Sequence, residues 1–265
     1  RRTYVMGIIN LTPDSFSGDG LAGFTKQAVE QAVAFQNAGA DILDIGAFST
    51  RPGHKLVSEC EELERLIPTL DEIVDSVNIP ISVDTFRASV ARAALKSGAS
   101  LINDVTGLKS DPDLAKVAAD GDAGLVVMHS QGDTIYRDLV PDIIASLEMS
   151  VRKAVSAGMI KSNLILDPGI GFGKTADQSI ELLGRLDEFK ALGYPLMVGP
   201  SRKSSIGKVL GLPVGERIEG TAAAVSLAVA GGADIIRVHD VKQMVRVVRM
   251  SDAIVRGWRP ETWTL

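Results

Sequence analysis

Three residues that could grip a nitrogen-rich ring each close a short apolar run. Asp84 follows Ile81–Val83, Asn103 follows Leu101–Ile102, and Asp167 follows Leu164–Leu166. An ionised carboxylate only accepts hydrogen bonds, whereas a carboxamide donates and accepts. The set suits a flat ligand rich in N–H donors, such as an aminopyrimidinone or a guanidine-like ring. Taken singly, each has a duller explanation, because Asp and Asn after a strand commonly cap the next helix. Three around one mouth favour binding. A second constellation suits an anion. Gly199-Pro200-Ser201-Arg202-Lys203-Ser204 puts two cations and two hydroxyls after one apolar run, and Arg237 and His239 follow another. Arg offers a bidentate fork to phosphate oxygens and His a single donor. Asn10, a neutral oxygen ligand closing the first run, is the best candidate to meet a hard cation such as Mg²⁺ held largely by a phosphate-bearing substrate.

What must position these groups is a repeated unit. Eight apolar runs end in polar clusters: Val5–Ile9, Ile42–Ile45, Ile79–Val83, Leu101–Ile102, Leu125–Met128, Leu164–Leu166, Leu196–Val198 and Ile235–Ile236. The stretches between have helical spacing, as in Leu63, Leu66, Ile67, Leu70, Ile73 and Val74. Strand followed by helix, eight times, predicts an α/β fold of the (β/α)8 TIM-barrel type, a single domain over 1–265. Its strand C-termini would converge on one active-site face. A phrase recurs at the unit junctions: Gly39-Ala40-Asp41-Ile42, Gly98-Ala99-Ser100-Leu101 and Gly232-Ala233-Asp234-Ile235. Each reads as a helix stop, a tight turn and a strand start. An open doubly wound sheet shares this grammar, but no reversal of strand order is visible. Thr25 is expected to cap the first helix, and Ser58 to form a capping box with Glu61.

Composition narrows the class. The 265 residues are 45% hydrophobic with a net charge of −5, which leaves no overall electrostatic footprint for nucleic acid. No apolar stretch approaches the ~20 residues of a membrane span. One cysteine, Cys60, fits a reducing compartment, and its neighbours Glu59, Glu61 and Glu62 disfavour a thiolate, so it reads as structural. The three histidines lack metal-ligand spacing, which argues against zinc. Gly169-Ile170-Gly171-Phe172-Gly173-Lys174-Thr175 looks like a phosphate loop, but Pro168 stands where a Walker A motif needs Gly. A glycine-rich loop that lets backbone approach a flat ligand is the better reading.

The motifs together resemble the dihydropteroate synthase family. They are Asn10-Leu11-Thr12-Pro13-Asp14-Ser15-Phe16, Ser49-Thr50-Arg51-Pro52-Gly53, Ile81-Ser82-Val83-Asp84-Thr85, Ile102-Asn103-Asp104-Val105, Met128-His129, Asp167-Pro168-Gly169-Ile170-Gly171-Phe172-Gly173, Gly199-Pro200-Ser201-Arg202-Lys203 and Arg237-Val238-His239. They run in order along the whole chain, one per barrel strand. The resemblance implies a transferase of folate biosynthesis that joins 6-hydroxymethyl-7,8-dihydropterin diphosphate to 4-aminobenzoate and releases pyrophosphate. It further implies a cytoplasmic, Mg²⁺-dependent homodimer targeted by sulfonamides. By resemblance Asp84, Asn103, Asp167 and Lys203 hold the pterin, with Met128 and Phe172 packed on it. Arg237, His239, Ser49 and Thr50 would bind diphosphate, with Asn10 meeting it through Mg²⁺. Phe16, Arg51, Pro52, Ser201 and Lys203 would shape the aminobenzoate site. Asp84, Asp167, Lys203 and Arg237 would carry catalysis.

The chain departs from the family pattern at Gly46-Ala47-Phe48-Ser49, where Gly-Gly-Glu-Ser or Gly-Gly-Gln-Ser is usual, and at Ser205, where a larger apolar residue is common. Two other readings share the Asp–Asn–Asp grip. One is a barrel that transfers methyl from methyltetrahydrofolate to a corrinoid protein, which gives no reason for Ser201-Arg202-Lys203. The other is a non-catalytic pterin-binding barrel, against which Asn10, Lys203, Arg237 and His239 argue.

Overall fold

A computed structural model describes residues 2–11, 20–47 and 57–260, with the side chains of 20–23 excepted. Strands β1 (Tyr4–Asn10), β2 (Ile42–Gly46), β3 (Ile81–Asp84), β4 (Leu101–Asp104), β5 (Gly124–Met128), β6 (Leu164–Asp167), β7 (Met197–Val198) and β8 (Ile235–Val238) lie parallel. Their order is β6-β5-β4-β3-β2-β1-β8-β7. A bridge between Leu166 and Leu196 joins β6 to β7 and closes the sheet into the expected barrel. The helices α1 (Gly20–Asn37), α2 (Glu59–Ser76), α3 (Ala88–Lys96), α4 (Leu114–Asp120), α5 (Leu139–Ser156), α6 (Ala176–Gly184), α7 (Ser204–Leu210), α8 (Ile218–Gly231) and α9 (Val241–Val255) alternate with the strands. The seventh unit carries two of them, the short α7 and then α8.

Strand periodicity decides what each face does. Outward residues such as Val5, Ile9, Leu43, Ile45, Val83, Ile102, Leu125, Val127, Leu166, Val198 and Ile236 pack against the helices in one large apolar core. Inward, Met6, Val126, Met197 and Ile235 form a separate apolar plug, flanked by Ile42 and Ile165. Two residues further along, the same inward face presents Asp44 after Ile42, Met128 after Val126, Asp167 after Ile165, Gly199 after Met197 and Arg237 after Ile235. The barrel interior is thus greasy at the bottom and polar at the top. Asp84 and Asn103 join the polar layer from β3 and β4.

The recurrent Gly-Ala phrase does what its spacing predicts. Gly39, Gly98 and Gly232 have φ of 97°, 103° and 102°, in the left-handed region where a side chain is costly. The N–H of Ala40, Ala99 and Ala233 then donates to the carbonyl five residues back, at Phe35, Ala94 and Ala228. The chain's start is tied to its last helix, because Thr3 donates from both its backbone N–H and its hydroxyl to Asp252 on α9, at 2.6 and 2.7 Å.

Three local expectations need correction. Thr25 is not a cap: α1 begins five residues earlier, and the Thr25 hydroxyl lies 3.0 Å from that of Thr69 on α2. Ser58 does accept from the Glu61 N–H at 3.2 Å, but the Glu61 carboxylate pairs with Arg65 rather than reaching back. Cys60 is exposed on the first turn of α2, so it fills no core position.

Candidate active site

The strand ends meet in an open cavity lined by Asp84, Asn103, Val105, Met128, Asp167, Ile170, Phe172, Gly199, Lys203 and Arg237. Seven of these, Asp84, Asn103, Met128, Asp167, Phe172, Lys203 and Arg237, are residues singled out by the sequence. Val105, Ile170 and Gly199 are additions: two apolar loop residues and a strand-end glycine that gave no chemical signal. Asp84 Oδ1 and Asn103 Oδ1 are buried acceptors that find no donor within the protein. A buried acceptor left so is costly, and an N–H-bearing ligand would satisfy it.

Arg237 rises from β8 into this polar layer. Its Nε donates to Asp44 at 2.5 Å and its Nη2 to Asp84 at 3.1 Å. Asp44 also accepts from Asn103 Nδ2 at 3.0 Å. Asp44 therefore orients two site residues from beneath, and sequence reasoning missed it. The signal was present: a lone carboxylate between Leu43 and Ile45 in a strand buried on both faces must be paired. Burial pushes the Asp84 carboxyl up to about 7, opposed by the Arg237 charge and reinforced by the negative charge of Asp44. Burial also raises the Asp167 carboxyl, opposed by the Gly169 N–H that donates to it at 2.7 Å and by the nearby Lys203.

The adjacent Asp104 faces outward and serves its own loop. It accepts from the Thr106 N–H and hydroxyl and from the Leu108 N–H, at 2.8, 2.7 and 2.5 Å. After β6 the glycine-rich segment lies on the loop that follows β5. Gly169 has φ of 72° with its Cα against the His129 carbonyl, and Gly173 has φ of 61° against that of Gln131. A side chain at either would collide with backbone. The segment carries Phe172 to the cavity wall, where Lys203 Nζ sits 4.3 Å from the ring centroid.

The β7 loop divides its two cations. Arg202 adopts a left-handed backbone, φ 56°, and its guanidinium makes a bidentate pair with Asp240 at 2.9 and 2.5 Å. Its N–H donates to the buried Thr221 hydroxyl at 3.1 Å, and Arg217 donates to the Arg202 and Lys203 carbonyls at 3.1 and 3.3 Å. Arg202 thus latches the β7 loop to the end of β8 and directs Lys203 to the cavity. Ser201 and His239 meet each other, Oγ to Nδ1, at 3.0 Å, and the His239 N–H donates to Ser201 Oγ at 3.2 Å.

Asn10 ends β1 half-buried at the mouth, in register with Gly46, which is in turn in register with Asp84. Among the described residues no cluster of three or more His, Cys, Asp or Glu could hold a metal. A single carboxamide oxygen at the mouth fits a Mg²⁺ whose other ligands come from phosphate and water. Phe16, Phe48, Ser49, Thr50, Arg51 and Pro52 lie outside the described residues. Ser205 does not; it is buried on the first turn of α7. No described helix is long and apolar enough to cross a membrane.

Comparison with known proteins agrees with this geometry. The family model described as pterin binding enzyme matches residues 6–239. The dihydropteroate synthase of Bacillus subtilis is 49% identical over 254 residues, covering 96% of this chain and 89% of that protein. The dihydropteroate synthase of Clostridium difficile, solved in the presence of pteroic acid, superposes with a TM-score of 0.95 at 47% identity, covering 97% of this chain and 98% of that one. The Xanthomonas albilineans dihydropteroate synthase, solved with 4-aminobenzoic acid, gives 0.92 at 41% identity, covering 98% and 94%. The chain belongs to the dihydropteroate synthase family of pterin-binding enzymes.

Proposed function

We propose that the chain condenses 6-hydroxymethyl-7,8-dihydropterin diphosphate with 4-aminobenzoate by a dissociative substitution, with the work divided along the barrel axis. The observation that carries this reading is the pair of orphaned buried acceptors, Asp84 Oδ1 and Asn103 Oδ1, in a cavity that also presents Asp167 and Lys203. The N–H groups of the pyrimidinone edge would satisfy them. Asp167 and Lys203 would engage the ring's remaining donors and acceptors, with Met128 and Phe172 on its faces.

The bond that breaks joins the pterin methylene to the diphosphate oxygen, and the electron pair leaves with pyrophosphate. Arg237, with His239, Ser49 and Thr50, would receive the charge that develops on those oxygens. Mg²⁺, held by Asn10 and the diphosphate, would neutralise part of that charge when bound. The electron-rich pterin delocalises the positive charge left behind, and the Asp167 and Asp84 carboxylates favour it electrostatically. The amine of 4-aminobenzoate then forms the C–N bond and gives up a proton to pyrophosphate or water. An aromatic amine needs placement rather than activation, which Phe16, Arg51, Pro52, Ser201 and Lys203 would supply. No covalent enzyme intermediate is required.

The wider reading is a cytoplasmic homodimer open to sulfonamides, which mimic 4-aminobenzoate. One cysteine in 265 residues fits a reducing compartment. Leu227, Met250 and Ile254, exposed on the neighbouring helices α8 and α9, support an apolar interface there. The testing experiment is pyrophosphate release from the pterin diphosphate with and without 4-aminobenzoate at fixed Mg²⁺. Release that requires 4-aminobenzoate and yields 7,8-dihydropteroate is expected. Pterin binding without such release would instead indicate a barrel that has lost turnover.

A further inference from the structure

The reaction leaves one buried cation without a role. Lys174 is only 8% exposed, and its Nζ lies 2.9 Å from His129 Nδ1 and donates to the Phe172 carbonyl at 2.9 Å. The Tyr136 ring centroid is 6.0 Å away. An ammonium has three donors and no acceptor. Two acceptors and the face of an aromatic ring therefore account for all three directions. The Gly-Lys-Thr sequence hints at a phosphate ligand, but the amine turns from the mouth to the seam between two loops.

We propose that Lys174 is a positioning residue for pterin recognition, clamping the loop after β6 onto the loop after β5 and so fixing Phe172 as a wall of the cavity. The proposal rests on the pterin-binding reading of that cavity. A second stitch runs beside the first, because the Tyr136 hydroxyl donates to the Gly173 carbonyl at 2.7 Å. The backbones touch on either side of the clamp, Gly169 on His129 and Gly173 on Gln131. Pinning the Phe172 carbonyl sets where its ring stands and hence where Lys203 packs against it.

The electrostatics follow from what faces the amine. Asp167 from β6 favours the ammonium, while Lys203 from the β7 loop and Lys109 from the β4 loop oppose it. Burial dominates, and the amine is brought down to about 7. His129 is held down to about 3, first by burial and then by Lys174 and Lys109. The imidazole is therefore neutral, accepts through Nδ1 and carries its proton on Nε2. Once Lys174 loses its proton the clamp persists only as two neutral hydrogen bonds, roughly half as strong as charge-assisted ones.

Two measurements test the clamp. In wild-type protein labelled with ¹⁵N-histidine, His129 should stay neutral as the Nε2–H tautomer down to pH 5, and its Nδ1 resonance should shift as Lys174 titrates around pH 7. A His129 that protonates with the ordinary midpoint of 6.5 overturns the proposal. In steady-state kinetics, Lys174→Met should raise KM for the pterin substrate on the order of tenfold, well beyond its effect on KM for 4-aminobenzoate. The same change in a Phe172→Ala background should add little, since the two act as one unit. Equal rises in both KM values, or full additivity with Phe172→Ala, would also overturn it. If Lys174→Met does not fold, the histidine signature still decides. If wild-type protein shows that signature but binds no pterin, the pterin reading fails and the loop clamp stands without a recognition role.

Discussion

Pterin binding should weaken about tenfold between pH 8 and pH 6, and Asp84 is the reason. In the ligand-free protein its carboxyl is pushed up to about 7 by burial, with Asp44 adding repulsion and Arg237 only partly compensating. Accepting the pterin N–H groups requires the carboxylate, so the apparent dissociation constant scales as one plus the ratio of protonated to ionised Asp84. That factor is about 11 at pH 6 and about 1.1 at pH 8. Binding at pH 6.5 should release about three-quarters of a proton, the protonated fraction there. The sign for folding runs the other way. A raised carboxyl pKa contributes stability that is fully present below the ordinary 3.8 and is lost as pH rises through 7. The thermal shift produced by pterin should therefore be larger at pH 8 than at pH 6. The assay is calorimetric titration with 6-hydroxymethyl-7,8-dihydropterin, which has no phosphate to titrate, in two buffers of different protonation enthalpy. Asp167 is displaced in the same direction and steepens the acid limb, so Asp84→Asn separates the two. That variant should lose the Asp84 component and about 1.5–3 kcal/mol of binding, the worth of a charged hydrogen bond. Its folding should change little, because Arg237 keeps Asp44. Affinity that is flat from pH 6 to 8 with no proton exchange would refute the argument.

Three further outcomes follow from the same contacts. Asp44→Asn should weaken pterin binding by about 1.5–3 kcal/mol. It should also move the acid limb of kcat/KM to lower pH, since removing its charge lets Asp84 ionise more readily. Arg202→Gly should be more stable to urea than Arg202→Ala by about 1 kcal/mol, because both lose the Asp240 pair but only glycine relieves the left-handed backbone. Gly169→Ala should lower the folding stability and the pterin affinity together, by about 1–3 kcal/mol each, since its methyl would press on the His129 carbonyl at a φ of 72°.

Much of this architecture could be read from the chain because two periodicities carry it. Polar residues at the ends of apolar runs land on the barrel mouth, and alternation then sends Asp84, Asn103, Met128, Asp167 and Arg237 inward rather than onto helices. Glycine at fixed offsets marks the turns below. What could not be read depends on pairing across the fold. Arg202 has the right residue type and place for an anion ligand, yet its partner Asp240 lies 38 residues later and turns it away from the cavity. Thr25 has the right type for a cap, but its hydroxyl answers to Thr69 on another helix. Asp44 sits in mid-strand, where a search for residues at strand ends does not look. Lys174 follows the glycine-rich run, and only the packing of two loops shows that its amine is held by His129 and the Phe172 carbonyl.

The distribution of charge also explains why a dissociative path suits this barrel better than attack by an enzyme nucleophile. Above the apolar plug, among the described residues, three carboxylates, Asp44, Asp84 and Asp167, face the Arg237 guanidinium and the Lys203 ammonium on the cavity wall. Asp84 and Asp167 line the cavity where the ring would lie; Asn10 ends β1 and His239 follows β8, at the strand ends that open to the mouth. A bond that breaks along that axis leaves its cation among carboxylates and its anion among donors. Each fragment is then stabilised where it forms, by groups already in place before the bond lengthens. No Ser-His-Asp or Cys-His arrangement is apparent among the described residues, and the Ser201–His239 pair has its hydroxyl occupied by the His239 backbone. A reduced pterin is the expected substrate on the same ground: the more readily the ring delocalises positive charge, the more the buried carboxylates contribute to the transition state.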